Sequence, residues 1–486
     1  MMASTKLIIL DECNIKFEGL DINTRRKLVE SLEFFVPHAR HTPAYKLGRW
    51  NGKMSFCDIG ARSYLNLLDV LLPIVQQEGY DVEIDDQRIS QHVFEFEEVE
   101  EDSYADITWP KGHQLAGQPI MIRDHQVDVI NSYLNNITGI NIAPTGSGKT
   151  LITAILSHKV EPYGRSIVIV PSKDLVRQTE EDYKNLGLDV GVFFGDRKDY
   201  GKTHTICTWQ SLESLAKRGK EKELEIDIED FFENVVCVMV DEVHKAKADV
   251  LRKLLSTYLR HAPIRWGLTG TMPEEDGDKV AVLACIGPML GKINTKELQD
   301  KGILAQLHIN IWQLQDMGDV FDNYQTELKW LTTSQPRIKF LAGEVVKLAE
   351  TGNTLVLVDR IETGEMLQSL IPDSIFVSGR MKSKDRKEEY AEVAEVDGKV
   401  IIATYGVAST GINIVRIFNL VLFEAGKSFV RVIQSIGRGI RVAPDKDFVN
   451  VYDVCSNCKY SKRHLTKRKK FYAEAEYPYS VKKITY

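Results

Sequence analysis

The octapeptide Ala143-Pro144-Thr145-Gly146-Ser147-Gly148-Lys149-Thr150 constrains this chain more than any other feature. It follows the short apolar run Ile137–Ala143 and precedes the apolar stretch Leu151–Leu156, so it reads as a loop between a buried strand and a helix. Gly146 and Gly148 permit positive φ, which turns successive backbone N–H groups inward, and the N-terminus of the following helix adds a positive field. Such a loop cradles phosphates. Thr145, Gly146, Ser147 and Gly148 form the expected cradle, Lys149 supplies a charge to the outer phosphates of ATP, and the Thr150 hydroxyl can hold Mg2+. The strict pattern opens with glycine; Ala143 stands there in this chain.

A second buried run, Val235–Val240, ends in Asp241-Glu242-Val243-His244. Carboxylates at the C-terminal end of a buried strand lie where open α/β sheets bind ligands. Asp241 is expected to hold the metal, directly or through water, and Glu242 to orient and deprotonate an attacking water. Two adjacent like charges are costly unless a cation compensates them, which favours a metal site.

The remaining organisation follows from the pattern of apolar runs. Ser166–Val170 joins the two runs above as a strand, and Thr354–Val358, Lys399–Ala403, Leu420–Phe423 and Val449–Val451 repeat the style in the second half. The reading is α/β: two tandem domains with parallel sheets, preceded by a small α+β domain. An acidic run (Glu95, Glu97, Glu98, Glu100, Glu101, Asp102) and a Pro/Gly-containing stretch read as a linker, with a solvated strand edge as the alternative. The expected boundaries are 1–100, a linker at 101–118, 119–300 and 301–486. A net charge of −7 argues against coating nucleic acid by charge alone, though local basic patches remain compatible with it. Seven cysteines at irregular spacing, no apolar stretch of membrane-spanning length and no signal peptide point to a reducing cytoplasm and no membrane.

Further motifs arrive in an order that resembles superfamily 2 helicases over about residues 115–455. Arg123-Asp-His-Gln126 is similar to the adenine-reading element of that family, since Gln126 offers a donor and an acceptor to a base edge. Val168–Gln178, which includes Ser172, Lys173, Arg177 and Gln178, resembles a nucleic-acid-backbone motif, as does Thr208–Leu212 with Trp209. Gly267–Thr271 resembles the motif that relays the state of the ATP site. In the second half, Leu355–Arg360 and Ala403–Asn413, with Thr404 and Thr410, resemble further family motifs. Gln434-Ser-Ile-Gly-Arg438-Gly-Ile-Arg441 resembles the arginine motif, with Arg438 and Arg441 at i and i+3 of an expected helix. The resemblance implies two RecA-like domains, ATP and Mg2+ as cofactors, catalytic roles for Gln434, Arg438 and Arg441, and arginine fingers that stabilise transition-state charge.

The two ends of the chain add softer signals. Asn51-Gly52 is a tight-turn signal, and a hairpin there would present Lys46, Arg49, Trp50 and Lys53 to phosphates and a base, or else pack its aromatics on its own domain. The basic run from Lys459 to Lys470 is either a solvated helix face or a phosphate contact. Cys455-Ser-Asn-Cys458 has only His464 nearby, so free thiols are favoured over a zinc site. This arrangement around a compact motor resembles the recombination and repair DNA helicases of T4-type bacteriophages. That resemblance implies a monomer in the host cytoplasm. It implies action on branched DNA (Holliday junctions, stalled forks) and on RNA–DNA hybrids, with 3′–5′ polarity, alongside recombination or replication proteins. An RNA helicase, a duplex translocase that never separates strands and an ATP-gated annealing or binding protein are the competing readings.

Overall fold

The computed structural model describes residues 3–89, 93–111, 113, 115–218, 226–243, 248–273, 275–316, 318, 320–379, 381, 396–407, 416–426 and 445–486. Two compact units emerge: residues 1–143 with 148–292, and 293–486 with 144–147.

The first unit begins with a four-stranded mixed sheet in the order Arg62–Tyr64, Asn14–Glu18, Ala3–Ile9, Tyr80–Asp86. Alternation decides which face is buried: in Asn14–Glu18 only Ile15 and Phe17 turn inward. Helices Ile22–Ser31 and Leu68–Gln77 belong to the same α+β region, the first opened by Asp21, whose carboxylate accepts from the Asn23 and Thr24 amides. The core of this region is continuous with that of the following sheet, Leu7, Phe17 and Leu28 sharing a cluster with Val238, Leu255 and Ile286. Polar contacts pin the same junction. Asn14 Nδ2 donates to Ser256 O at 2.9 Å, and Arg252 Nε donates to Tyr64 Oη at 3.0 Å while its guanidinium lies 4.9 Å from the Phe56 ring centroid.

The second sheet of this unit has eight strands, ordered Arg197–Lys198, Val190–Phe194, His204–Thr208, Arg165–Val170, Val235–Asp241, Ile264–Thr269, Thr138–Ile142, Met289–Lys292. Every pairing is parallel except that of Arg197–Lys198. Val235–Asp241 is buried along its whole length, as a strand covered on both faces must be. Helix α1 (Asp124–Leu134), α2 (Lys149–Val160) and α3 (Lys173–Asn185) pack around it. Helix α2 is buried from Ile152 to Ser157 and again at Val160, Thr153 and Ser157 included, because its neighbours enclose it. The acidic stretch read as a linker lies along these helices. The Val99 amide donates to Asn131 Oδ1 at 2.8 Å, and Tyr104 Oη and His158 Nδ1 share a hydrogen bond of 2.7 Å.

The second unit is a seven-stranded, wholly parallel sheet: Ile375–Val377, Val400–Thr404, Thr354–Val358, Asn419–Phe423, Phe448–Ser456, Gln306–Leu314, Tyr479–Ile484. Helix α4 (Gln335–Ala349) and helix α5 (Lys459–Glu474) contribute to its cores. Two buried ionic groups stitch this unit together. Arg337 meets Glu424 at 2.6 Å and Asp316 at 3.3 Å. Arg468 grips Asp453 through two bonds of 2.9 Å and donates to Gly426 O at 2.6 Å, and Tyr472 Oη donates to Asp453 at 2.9 Å. Burial pushes the Glu424 carboxyl up, against the pull of Arg337. The basic run therefore divides: Arg468 is core, whereas Lys462, Arg463, Lys467 and Lys470 are exposed. No described helix is long and apolar enough to cross a membrane.

Candidate nucleotide site and nucleic-acid contacts

Register brings the decisive residues to one edge of the first parallel sheet. Ile142 pairs with Thr269, Asp241 with Leu268, and Thr208 with Val170, so their following residues emerge together at the carboxyl ends of the strands. The phosphate loop leaves Ile142 there. Gly146 and Gly148 have φ of +91° and +84°, and Gly148 is the N-cap of α2. The positive φ favours glycine at 148, and a Cβ there would stand 2.2 Å from Gln126 Nε2 and push that side chain aside.

Lys149, in the first turn of α2, lies 3.2 Å from Glu242 Oε1 and 3.3 Å from Ala143 O. Both side chains of this ion pair are about nine-tenths buried, at 10% and 9% exposure. Glu242 has a left-handed backbone, φ +52°, a strained state for this residue type that clusters at functional sites. Its amide donates to Asp241 Oδ1 at 2.8 Å, which fixes the neighbouring carboxylate, and the Gly270 amide points at Glu242 Oε2 from 3.5 Å. The strand-end segment 267–271 thus reaches the same carboxylate, and Thr269 Oγ1 donates to Thr271 O at 2.7 Å within it. Asp241 is 5% exposed.

Thr150 brings in a residue that carried no sequence signal. It faces Asp182 on α3, whose carboxyl burial pushes up while the nearby Thr150 hydroxyl pulls it down. Only the packing of α2 against α3 joins the two. The oxygens of Asp241 and Thr150 are hard donors of the kind Mg2+ selects, so the residues present fit that ion.

Gln126 departs from expectation. It is 3% exposed, its Oε1 accepts the Arg123 amide at 3.0 Å and its Nε2 points at Gly148 O from 3.5 Å. It closes the start of α1 and braces the phosphate loop instead of offering its amide to solvent; Arg123 is exposed. Thr145 and Ser147 lie in the loop, whose turn is closed by the Ser147 amide bonding Pro144 O at 3.2 Å.

The expected nucleic-acid residues separate in the same way. Ser172 caps α3, accepting the Leu175 amide at 3.3 Å, and Lys173 beside it is exposed. Arg177 pairs with Asp174 at 3.6 Å and covers the Phe194 ring, and Gln178 is half-buried. Trp209 is a correction: at 6% exposure its ring belongs to the hydrophobic core instead of standing open to a nucleic-acid backbone. Residues 51–52 are another, because they do not form a two-residue hairpin. Strands Glu33–Phe35 and Lys53–Ser55 pair across a connection holding helical turns at Ala39–His41 and Pro43–Lys46, and Gly52 packs under Phe35 and Tyr45. There Arg49 is exposed, Trp50 Nε1 donates to Lys53 O at 2.8 Å, and Lys53 Nζ pairs with Glu33 at 2.6 Å. Thr404 ends its strand half-buried. His244, Thr410, Gln434, Arg438 and Arg441 lie outside the described residues. Cys455 and Cys458 are buried free thiols, and the described residues hold no cluster of metal-ligating side chains around them.

Residues 119–274 match the family model of the type III restriction enzyme res subunit, and residues 337–443 match the helicase conserved C-terminal domain. The chain is 25% identical over 473 residues to the ATP-dependent DNA helicase uvsW of Enterobacteria phage T4, covering 92% of this chain and 90% of that protein. It is 23% identical over 380 residues to a DNA 3′-5′ helicase XPB of Kineococcus radiotolerans, covering 76% of this chain and 65% of the relative. Among solved structures, a fragment of an HsdR subunit of a type I restriction enzyme from Vibrio vulnificus shares the fold, with a TM-score of 0.57 at 16% identity, covering 97% of this chain and 85% of that one.

Proposed function

The chain is a superfamily 2 helicase, and from that premise we propose that it uses ATP to remodel branched DNA, driving junction migration, fork regression and the unwinding of RNA–DNA hybrids with 3′–5′ polarity. It is an ATP-dependent DNA helicase or translocase in the broader sense. The observation that carries the catalytic part is the buried Lys149–Glu242 pair at the carboxyl ends of the strands. In the proposed cycle the phosphate loop and Lys149 hold the phosphates, and Glu242 orients the attacking water and takes its proton. Asp241 and Thr150 would hold Mg2+, which supplies charge compensation for the phosphates when bound. Arg438 and Arg441 are proposed as the second domain's contribution to the developing charge. The choice of DNA as substrate is supported by likeness to the ATP-dependent DNA helicase of phage T4 along nearly the whole chain.

ATP hydrolysis measured without nucleic acid, with single-stranded DNA, with a four-way DNA junction and with single-stranded RNA tests this reading. Strong stimulation by the junction, lost in Glu242→Gln, is the expected result. Stimulation by RNA alone would move the protein among RNA helicases and overturn the proposal.

The N-terminal connection gives a second prediction. Replacing Arg49, Trp50 and Lys53 together should weaken junction binding and flatten its salt dependence by up to about two units of log K against log salt, since two cations are removed at ~0.9 each. Unchanged affinity and slope would make the connection purely structural.

A further inference from the structure

We propose that the outer face of helix α5 is a DNA-phosphate contact belonging to the second motor domain. The helix is divided by its own periodicity. Ser461, Leu465, Arg468 and Tyr472 turn inward and are buried, while Lys459, Lys462, Lys467 and Lys470, with Arg463 next to Lys462, follow one another on the exposed side. At 1.5 Å per residue they form a stripe roughly 16 Å long. None of the five makes an ion pair among the described residues, in contrast to the exposed Lys184, Lys217 and Lys301, each paired with a glutamate four residues away.

Folding alone disfavours this pattern. Lys459 and Lys462 sit in the first turn, at the positive end of the helix dipole, and the like charges along the stripe repel at i,i+3 and i,i+4 by about 0.2–0.5 kcal/mol each. The buried Arg468–Asp453 pair and the bonds from the Tyr460 and Ser461 amides to Glu327 hold the helix rigidly, so the stripe is presented as a fixed row. Lys459 and Arg463 lie over the Tyr460 ring at 5.7 and 5.8 Å, but a row of cations with no carboxylate partner among the described residues, in a chain of net charge −7, fits a polyanion of regular spacing. The proposal rests on the reading of the chain as a DNA motor, and the backbone of DNA is the polyanion that reading supplies.

Lysine acetylation of the wild-type protein tests this without a mutation. Bound duplex or single-stranded DNA should protect Lys462, Lys467 and Lys470 and leave Lys217 and Lys347 reactive. Equal reactivity with and without DNA, or equal protection by polyglutamate, would overturn the proposal. A K462Q/R463Q/K467Q/K470Q variant should lose up to about 3.6 units of salt slope on duplex DNA at ~0.9 per contact while keeping its DNA-free ATPase rate. A control with Lys27, Lys217, Lys296 and Lys347 changed to Gln carries the same charge change and should keep the wild-type slope; a matching loss in the control would overturn the assignment. If DNA fails to stimulate wild-type ATPase the motor reading itself fails, whereas normal stimulation with unprotected lysines removes only this surface.

Discussion

Lys149→Ala is expected to reduce ATP hydrolysis by about 10²–10³-fold or more, the scale seen when one preorganised charge at a reacting oxyanion is removed. Two effects converge. The outer phosphates lose the ammonium that neutralises charge as the bond to the leaving phosphate breaks. Glu242, 9% exposed at its side chain, also loses the cation 3.2 Å away that makes its burial tolerable. DNA affinity in the absence of ATP should stay near wild type, because the lysine lies inside the nucleotide site. Steady-state hydrolysis and equilibrium DNA binding on the same preparation check both halves. Turnover near the wild-type rate would sink the phosphate-loop assignment, and joint loss of hydrolysis and DNA binding would show that the substitution unfolds the unit.

The phosphate loop was legible because its chemistry is local: eight consecutive residues, a strand before and a helix after, dictate the backbone that phosphates need. Asp241 and Glu242 were legible for a related reason, since a wholly apolar run must be a buried strand and its end must emerge at the ligand-binding edge. The expected strands at 354–358 and 420–423 likewise appear as Thr354–Val358 and Asn419–Phe423. What escaped depends on contacts distant in the chain. Asp182 reaches Thr150 only because α3 packs on α2. Trp209 follows a strand end, as a backbone-binding residue should, yet the ring turns inward, and nothing in its neighbours' identity announces the direction. Asn51-Gly52 signals a turn, but the strands that pair around it begin at Glu33 and Lys53, so the turn chemistry serves one corner of a longer connection. In the basic run, composition treats Arg468 as one cation among several; its helical phase, set by Leu465 and Tyr472, sends it to Asp453 instead.

That buried pair carries the largest expected effect on stability. Asp453→Asn keeps the shape of the side chain and leaves Arg468, 1% exposed, without its counter-charge, so unfolding free energy should fall by about 3–5 kcal/mol. Tyr472 Oη loses a charged acceptor in the same step, and hydrogen bonds to charged groups contribute more than neutral ones. The double substitution Asp453→Asn with Arg468→Met removes the stranded charge as well and should be less destabilised than Asp453→Asn alone, giving a positive coupling in a double-mutant cycle. Urea titrations of the wild type, both single variants and the double variant measure this. A loss below about 1 kcal/mol in Asp453→Asn would mean that water reaches Arg468 and that the pair behaves as a surface bridge. The network also has a consequence for activity. Arg468 Nη1 donates to Gly426 O at 2.6 Å, and Gly426 immediately precedes the segment in which Gln434, Arg438 and Arg441 reside. Arg468→Lys preserves a charge for Asp453 but cannot make the two-pronged grip and reach Gly426 at once, because lysine presents a single ammonium. If the grip anchors the start of that segment, this milder variant should bind ATP with wild-type affinity and hydrolyse it more slowly. Equal loss of binding and turnover would instead mark the network as purely a stabilising element of the second unit.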